Sequence, residues 1–146
     1  MISLSNTKLV HLTANVATSL FVVTIMIQIL LAAGVLPVSL AWGGQAPLST
    51  PTLRVASVIS AMILSAFIYV IRSRAGLNGN GSVPAIVKIG SWIITGFMAL
   101  NTLGNITSSN SIEKFVFAAI TFTLSVVCLL ISASKSNSMR RGAVVQ

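Results

Sequence analysis

The chain contains four apolar stretches, and each is long enough to cross a lipid bilayer as an α-helix. They cover about residues 9–36, 53–72, 83–104 and 113–134. A hydrocarbon core of about 30 Å is spanned by about 20 helical residues. Only 7% of the 146 residues are charged, whereas soluble proteins are about 25% charged. The sequence therefore predicts an all-α integral membrane protein, a single membrane domain folded as an up-down four-helix transmembrane bundle within the lipid bilayer.

The first apolar stretch also has features of a secretory signal peptide. Lys8 precedes it, and Ser39-Leu40-Ala41 resembles a cleavage site. The apolar region of a signal peptide is only about 7–15 residues long, however, and this stretch is much longer. We interpret it as a retained transmembrane helix. Gln28 lies deep within it, and we expect its side chain to hydrogen-bond to another helix, with a role as a solute ligand as the alternative.

Lysine and arginine are unevenly divided between the two ends of the predicted bundle. One end carries most of them: Lys8, Arg72, Arg74, Lys88, Lys135, Arg140 and Arg141. The other end carries Arg54 and Lys114 beside Glu113, the only acidic residue. Because cytoplasmic ends of membrane proteins are enriched in lysine and arginine, both termini are predicted to be cytoplasmic, in the inner or plasma membrane. This pattern explains the net charge of +8 without a nucleic-acid partner, and none is expected.

The third apolar stretch is unusually polar for a helix that crosses a membrane. At about 100° per residue, one of its faces collects the following residues: Lys88, Ser91, Trp92, Thr95, Ala99 and Thr102. Asn101 and Asn105 lie on an adjacent face. A helix that contacts only lipid is more uniformly apolar, so this helix is predicted to pack against protein. Lys88 is near its start, and its long side chain is expected to reach the cytoplasmic interface, with solute binding as the alternative.

The second apolar stretch and the loop before it predict further contacts. Residues 37–52 are rich in Pro, Gly, Ser and Thr and are predicted to form a loop, with Trp42 at the membrane–water boundary. Within the helix that follows, Ser57, Ala61 and Ser65 are four residues apart. Small residues at this spacing allow another helix to approach closely, so all three are predicted to face protein.

Glu113 is predicted to stabilise the start of the fourth helix. Asn110 and Glu113 have the spacing of a capping box, in which the carboxylate bonds back to the Asn110 backbone. Arg54 begins the second helix at the same end of the bundle, so a contact between Arg54 and Glu113 is also predicted, with Lys114 as a weaker competitor. The functional alternative for Glu113 is an entry point for cations or protons.

The side chains that membrane enzymes and cofactor sites require are scarce in this chain, which contains one histidine, one cysteine and one acidic residue. A proton-coupled exporter needs a carboxylate within the membrane, but Glu113 lies at a helix end. A haem site usually needs paired histidines, and His11 is alone. Cys128 has no second cysteine with which to form a disulfide, a redox pair or a zinc site. The expectation is a protein that is not an enzyme and that binds no cofactor or metal.

Two short motifs resemble those of a group of membrane proteins. Ala41-Trp42-Gly43-Gly44 follows the first apolar stretch, and residues 99–105, which read Ala-Leu-Asn-Thr-Leu-Gly-Asn, end the third. Both are similar to motifs of small uncharacterised bacterial integral membrane proteins with four spans. The similarity extends from about residue 29 to residue 134. It implies a four-helix membrane fold, and it implies no known activity and no catalytic residues.

Together these patterns predict a small non-enzymatic membrane protein, either an accessory subunit of another membrane protein or a homo-oligomer. Its polar residues would then form contacts between helices. The alternative is a transporter or channel for a small solute, with a polar pathway through Gln28, Lys88, Asn101 and Asn105. A water-filled cavity joining Lys88 to Asn101 would favour transport.

Overall fold

The protein is all-helical in a computed structural model, which describes residues 7–42, 49–79 and 82–134. The elements in chain order are α1 (Thr7–Ala32), α2 (Ser39–Trp42), α3 (Thr50–Arg74), α4 (Ala85–Thr107), a π-helical turn (Glu113–Phe117) and α5 (Ala118–Ala133). Four helical segments are long and apolar enough to cross a membrane: α1, α3, α4 and the continuous segment Glu113–Ala133. The predicted class and the number of spans are therefore confirmed.

The four long helices pack up and down around a common core. α1 lies along α3, and α4 lies along α5, while contacts between α1 and α5 and between α3 and α4 close the bundle. Phe21, Ile71 and Leu124 are among the largest fully buried side chains. Phe67 of α3 joins two neighbours, with its ring centroid 6.1 Å from that of Phe21 and 5.5 Å from that of Phe97, edge to face in both pairs. These aromatic contacts connect α1, α3 and α4.

The outward surface of the bundle is apolar. Met62, Leu100 and Phe122, on three different helices, are each at least 60% exposed. A continuous apolar surface of this kind is unfavourable in water and favourable against lipid chains. The chain is a multi-pass membrane protein with four spans.

Glycines end two of the spans more sharply than the apolar pattern predicts. α1 ends at Ala32, whereas the first apolar stretch continues to residue 36, because Gly34 adopts a left-handed φ of 76°. The Gly34 N–H donates to the Leu31 carbonyl and the Val35 N–H donates to the Leu30 carbonyl, which is the Schellman pattern of helix termination. Gly76, with φ 78°, ends α3 in the same way.

The small-residue stripe of α3 is only partly directed at protein. Ser57 is fully buried and Ala61 is half-buried, but Ser65 is exposed. The Ser65 hydroxyl donates to the Ala61 carbonyl of its own helix at 2.8 Å. Because that bond satisfies the hydroxyl, Ser65 does not need a neighbouring helix, and the prediction for this residue was wrong.

The polar face of α4 meets the bundle along a narrower strip than predicted. Ser91, Thr95 and Thr102 are buried, as expected for a helix that needs protein neighbours. Trp92 is 51% exposed and Ala99 is also exposed, so both lie at the margin of that face. The hydroxyls are therefore directed at protein and the indole at the surroundings.

Candidate functional site

A cleft opens at the end of the bundle where α1 and α4 finish and where α3 and the π-helical turn begin. We call this end the Glu113 end and the opposite end the Arg74 end. The cleft has a volume of about 650 Å³. Its described lining consists of Ala41, Trp42, Phe97, Leu100, Asn101, Gly104, Asn105, Thr107, Ser108, Ser109 and Glu113. This Glu113 cleft brings together Ala41-Trp42 and the end of α4, the two stretches that carry the resemblance noted in the sequence.

Trp42 is held on one wall of the cleft by a hydrogen bond to the bundle. It ends α2, a single helical turn within the region that was predicted to be an irregular loop. Its indole Nε1–H donates to the Ser57 hydroxyl of α3 at 3.0 Å. Since Ser57 is fully buried, this bond ties the segment after α1 to the interior of the bundle.

Asn101 and Asn105 lie one helical turn apart on the opposite wall. The Asn101 Nδ2 donates to the Phe97 carbonyl at 2.9 Å, and the Asn105 Nδ2 donates to the Thr121 hydroxyl of α5 at 3.2 Å. Both amide nitrogens are therefore used within the protein. Within the described part of the chain, no donor is bonded to either Oδ1. The two amides therefore offer the cleft hydrogen-bond acceptors.

Glu113 is a buried residue, 6% exposed, that lines the same cleft. The Ser108 hydroxyl donates to its Oε2, and the Asn110 N–H donates to the Ser108 Oγ at 3.1 Å. The Asn110 side chain accepts from the Ile112 N–H at 2.9 Å. Asn110 therefore caps the helix as predicted. The reciprocal half of the capping box was wrong, because the Ser108 hydroxyl lies between the Asn110 N–H and the carboxylate.

The fourth span begins with a π-helical turn, Glu113–Phe117, where the sequence predicted an ordinary capped α-helix. Thr121, one turn into α5, donates from its hydroxyl to the Phe117 carbonyl at 2.8 Å while accepting from Asn105. Single π-helical turns are rare, and those that do occur are often found at functional sites. This turn packs against α4, and Glu113 lines the same cleft as the end of α4.

Three of the six candidate residues meet in the cleft, and three lie elsewhere. Asn101, Asn105 and Glu113 line it, whereas its described lining does not include Arg54, Gln28 or Lys88. The Arg54 guanidinium lies against Gly34, where an added Cβ would be 2.6 Å from Nη2. The contact between Arg54 and Glu113 stays a prediction.

Gln28 and Lys88 both lie outside the cleft, Gln28 with a buried side-chain oxygen and Lys88 exposed near the other end of α4. The Gln28 Oε1 is buried without a hydrogen-bond partner among the described residues, so the predicted interhelical bond does not involve this oxygen. Lys88 is exposed in the first turns of α4. At 1.5 Å per residue, it lies about 20 Å from Asn101 along the helix axis.

One arginine at the opposite end is buried, although the charge pattern predicted an interfacial cation there. Arg74 is only 8% exposed, and its Nη2 donates to the Ser132 carbonyl at 2.9 Å and to the Ser134 carbonyl. A signal was present in the sequence. Arg72 and Arg74 are two residues apart, about 200° around a helix, so one of them must turn toward the bundle when the other faces outward.

Comparison of the chain with protein-family models, with curated proteins and with solved structures finds no match. The resemblance noted in the sequence therefore gains no support from a family model. The fold and the span count define the class, a four-span helical membrane protein.

Proposed function

We propose that this chain is a non-enzymatic membrane component, either an accessory subunit or a self-associating protein, whose polar residues hold its own helices together. The observation that carries the proposal is the use of the α4 polar groups. The Thr95 and Ser132 hydroxyls are 3.2 Å apart across α4 and α5, and the Asn105 amide bonds to Thr121 on the same pair of helices. Polar groups that hydrogen-bond across two helices in this way stabilise the packing of membrane helices.

The packing between the cleft and Lys88 argues against a polar pathway along α4. Ile94 and Met98 lie between Lys88 and Asn101 and are 2% and 3% exposed. Both belong to the hydrophobic core. A solute that entered the Glu113 cleft would meet these apolar side chains before it reached Lys88, which supports a binding or association role over transport along this helix.

The proposal is tested by measuring the mass of the complex that is extracted from the native membrane. Two differently tagged copies are expressed together at low level, extracted in a mild detergent, purified through one tag and analysed by native mass spectrometry. The expected result is either a second copy of the chain or one membrane protein in fixed stoichiometry. A monomer alone, from membranes in which both tags are present, would contradict the proposal.

A second candidate function, recognition of a small solute at the Glu113 end, is favoured by the composition of the cleft. The Glu113 carboxylate and the Oδ1 atoms of Asn101 and Asn105 are acceptors, and Trp42 and Phe97 supply aromatic rings. Acceptors beside aromatic faces suit a small organic cation or a solute with several N–H donors.

The two tryptophans allow a direct test of this second function. Trp92→Phe leaves Trp42 as the only tryptophan, and Trp42→Phe leaves only Trp92, which does not line the cleft. Titration with tetramethylammonium or guanidinium should change Trp42 fluorescence in a saturable way and leave Trp92 fluorescence unchanged. Glu113→Gln in the Trp92→Phe background should weaken binding of either cation at least tenfold. Equal responses from both single-tryptophan proteins would contradict recognition at the cleft.

A further inference from the structure

Arg74 is a buried cation whose hydrogen bonds are incomplete. Its side chain is 8% exposed, and only Nη2 has acceptors, the Ser132 and Ser134 carbonyls at the end of α5. Nε and Nη1 are buried, and no residue in the described ranges accepts a bond from them. A guanidinium stays protonated in proteins, so these N–H groups need acceptors and the charge needs compensation.

No acidic side chain of this protein can supply that compensation. The chain contains a single acidic residue, Glu113, which begins the fourth span at the opposite end of the bundle from Arg74. The carbonyls at the end of α5 contribute only the partial negative charge of a helix C-terminus. Among the described residues, no group supplies a full negative charge at Arg74.

The surroundings of Arg74 are polar and basic. Ser91, Thr95, Ser132 and Ser134 are all buried at this end of the bundle. The first turns of α4 pack on the last turns of α3, since a Cβ added at Gly90 would lie 3.3 Å from the Val70 side chain. This packing places Lys88 at the same end as Arg72 and Arg74. The buried hydroxyls bond within the protein, so the cations at this end are what favours an anion with several oxygens.

We propose that the Arg74 end binds the phosphate group of an anionic phospholipid. Because Arg74 ends one span and its acceptors end another, the site lies at the level of lipid headgroups when the bundle crosses a bilayer. Because Nε and Nη1 are buried, the phosphate has to displace the groups that cover them. Its oxygens would then accept from these two atoms and neutralise the guanidinium, while Nη2 keeps its bonds to α5. Basic sites between the ends of membrane helices are a recurring form of headgroup recognition.

The test measures lipid-dependent stability of the purified full-length chain. Thermal unfolding is followed in detergent with added phosphatidylglycerol, with added phosphatidylcholine, and with inorganic phosphate or glycerol phosphate in place of lipid. Phosphatidylglycerol should raise Tm by about 4 °C or more relative to phosphatidylcholine. The soluble phosphates should have little effect, and an equal effect from them would overturn the assignment to a lipid.

Arg72 provides the matched control. It lies two residues from Arg74 and carries the same charge, but it is half-buried and its Nη1 donates at 3.4 Å to the Asn15 side chain. Arg74→Gln should abolish the extra stabilisation by phosphatidylglycerol, whereas Arg72→Gln should keep most of it. Equal loss in both variants would mean general attraction to a negative surface, and retention in Arg74→Gln would also overturn the proposal.

Arg74→Lys provides a second test of the proposal in case the glutamine variant does not fold. The ammonium keeps the positive charge and a bond to an α5 carbonyl but lacks the guanidinium N–H groups that bind the phosphate. This variant should therefore fold and lose at least half of the shift in Tm. A full shift with lysine would show that charge alone is sufficient and would refute the role assigned to the Arg74 guanidinium.

Discussion

Replacing Gly34 by alanine should destabilise the bundle more than the same change at Gly76. Both residues end a helix in the Schellman pattern, with φ values of 76° and 78°. A left-handed conformation costs an alanine about 1–2 kcal/mol, so this part of the effect is common to both sites. The sites differ in their neighbours. A Cβ at Gly34 would lie 2.6 Å from the Arg54 Nη2, whereas nothing lies within 4 Å at Gly76.

The difference between the two variants isolates the contact with Arg54. Because 2.6 Å is well inside the ordinary contact distance of about 3.5 Å, the guanidinium has to move when the methyl group is added. Arg54 is an exposed and flexible side chain, so its displacement should add only about 0.5–1 kcal/mol. Gly34→Ala is therefore expected to cost about 2–2.5 kcal/mol and Gly76→Ala about 1.5 kcal/mol in free energy of unfolding.

The measurement is reversible unfolding in mixed micelles by a denaturing detergent, performed on both variants with and without Arg54→Ala. In the Arg54→Ala background, the two glycine substitutions should have the same effect. If Gly34→Ala remains the more harmful change without the arginine, the position of Arg54 against Gly34 is refuted.

Three other substitutions follow from the same contacts. Trp42→Phe removes the Nε1–H donor to Ser57 and should lower the free energy of unfolding by about 1 kcal/mol, with no further loss when Ser57→Ala is added. Asn105→Ala breaks the bond to Thr121 between α4 and α5 and should cost about 0.6 kcal/mol, a typical value for one hydrogen bond between membrane helices; a double-mutant cycle with Thr121→Val checks the coupling. Lys88→Met should insert normally and change stability by less than about 0.5 kcal/mol, because the side chain is exposed at the start of α4; failed insertion would show that its charge has a larger role.

The four spans could be predicted because they depend on composition and length, which a sequence shows directly. An apolar stretch near 20 residues has few alternatives to a membrane helix, since an α-helix satisfies all of its backbone polar groups within one segment of the chain. The polar face of α4 was also predictable, because Ser91, Thr95 and Thr102 recur at helical spacing. Their burial confirms that this helix packs on protein.

The cleft could be predicted only in part, because its geometry depends on local hydrogen bonds. Asn101, Asn105 and Glu113 were each singled out, but Glu113 lies in a π-helical turn, and π-helical turns have no simple sequence signature. The docking of Trp42 on Ser57 joins residues 15 positions apart and depends on the turn after α1. The prediction that Ser65 faces protein was wrong for a related reason, because a hydroxyl can donate to a carbonyl of its own helix and then needs no neighbouring helix.

The most direct test is to determine on which side of the membrane each end of the bundle lies. Cys128, the only cysteine, is fully buried, so it gives a low labelling background. Ser109→Cys places an exposed thiol at the Glu113 cleft, and Ser82→Cys places one before α4 at the Arg74 end. A membrane-impermeant maleimide should label Ser109→Cys on intact cells and Ser82→Cys only after permeabilisation. Labelling of both positions from the same side would contradict the four-span arrangement.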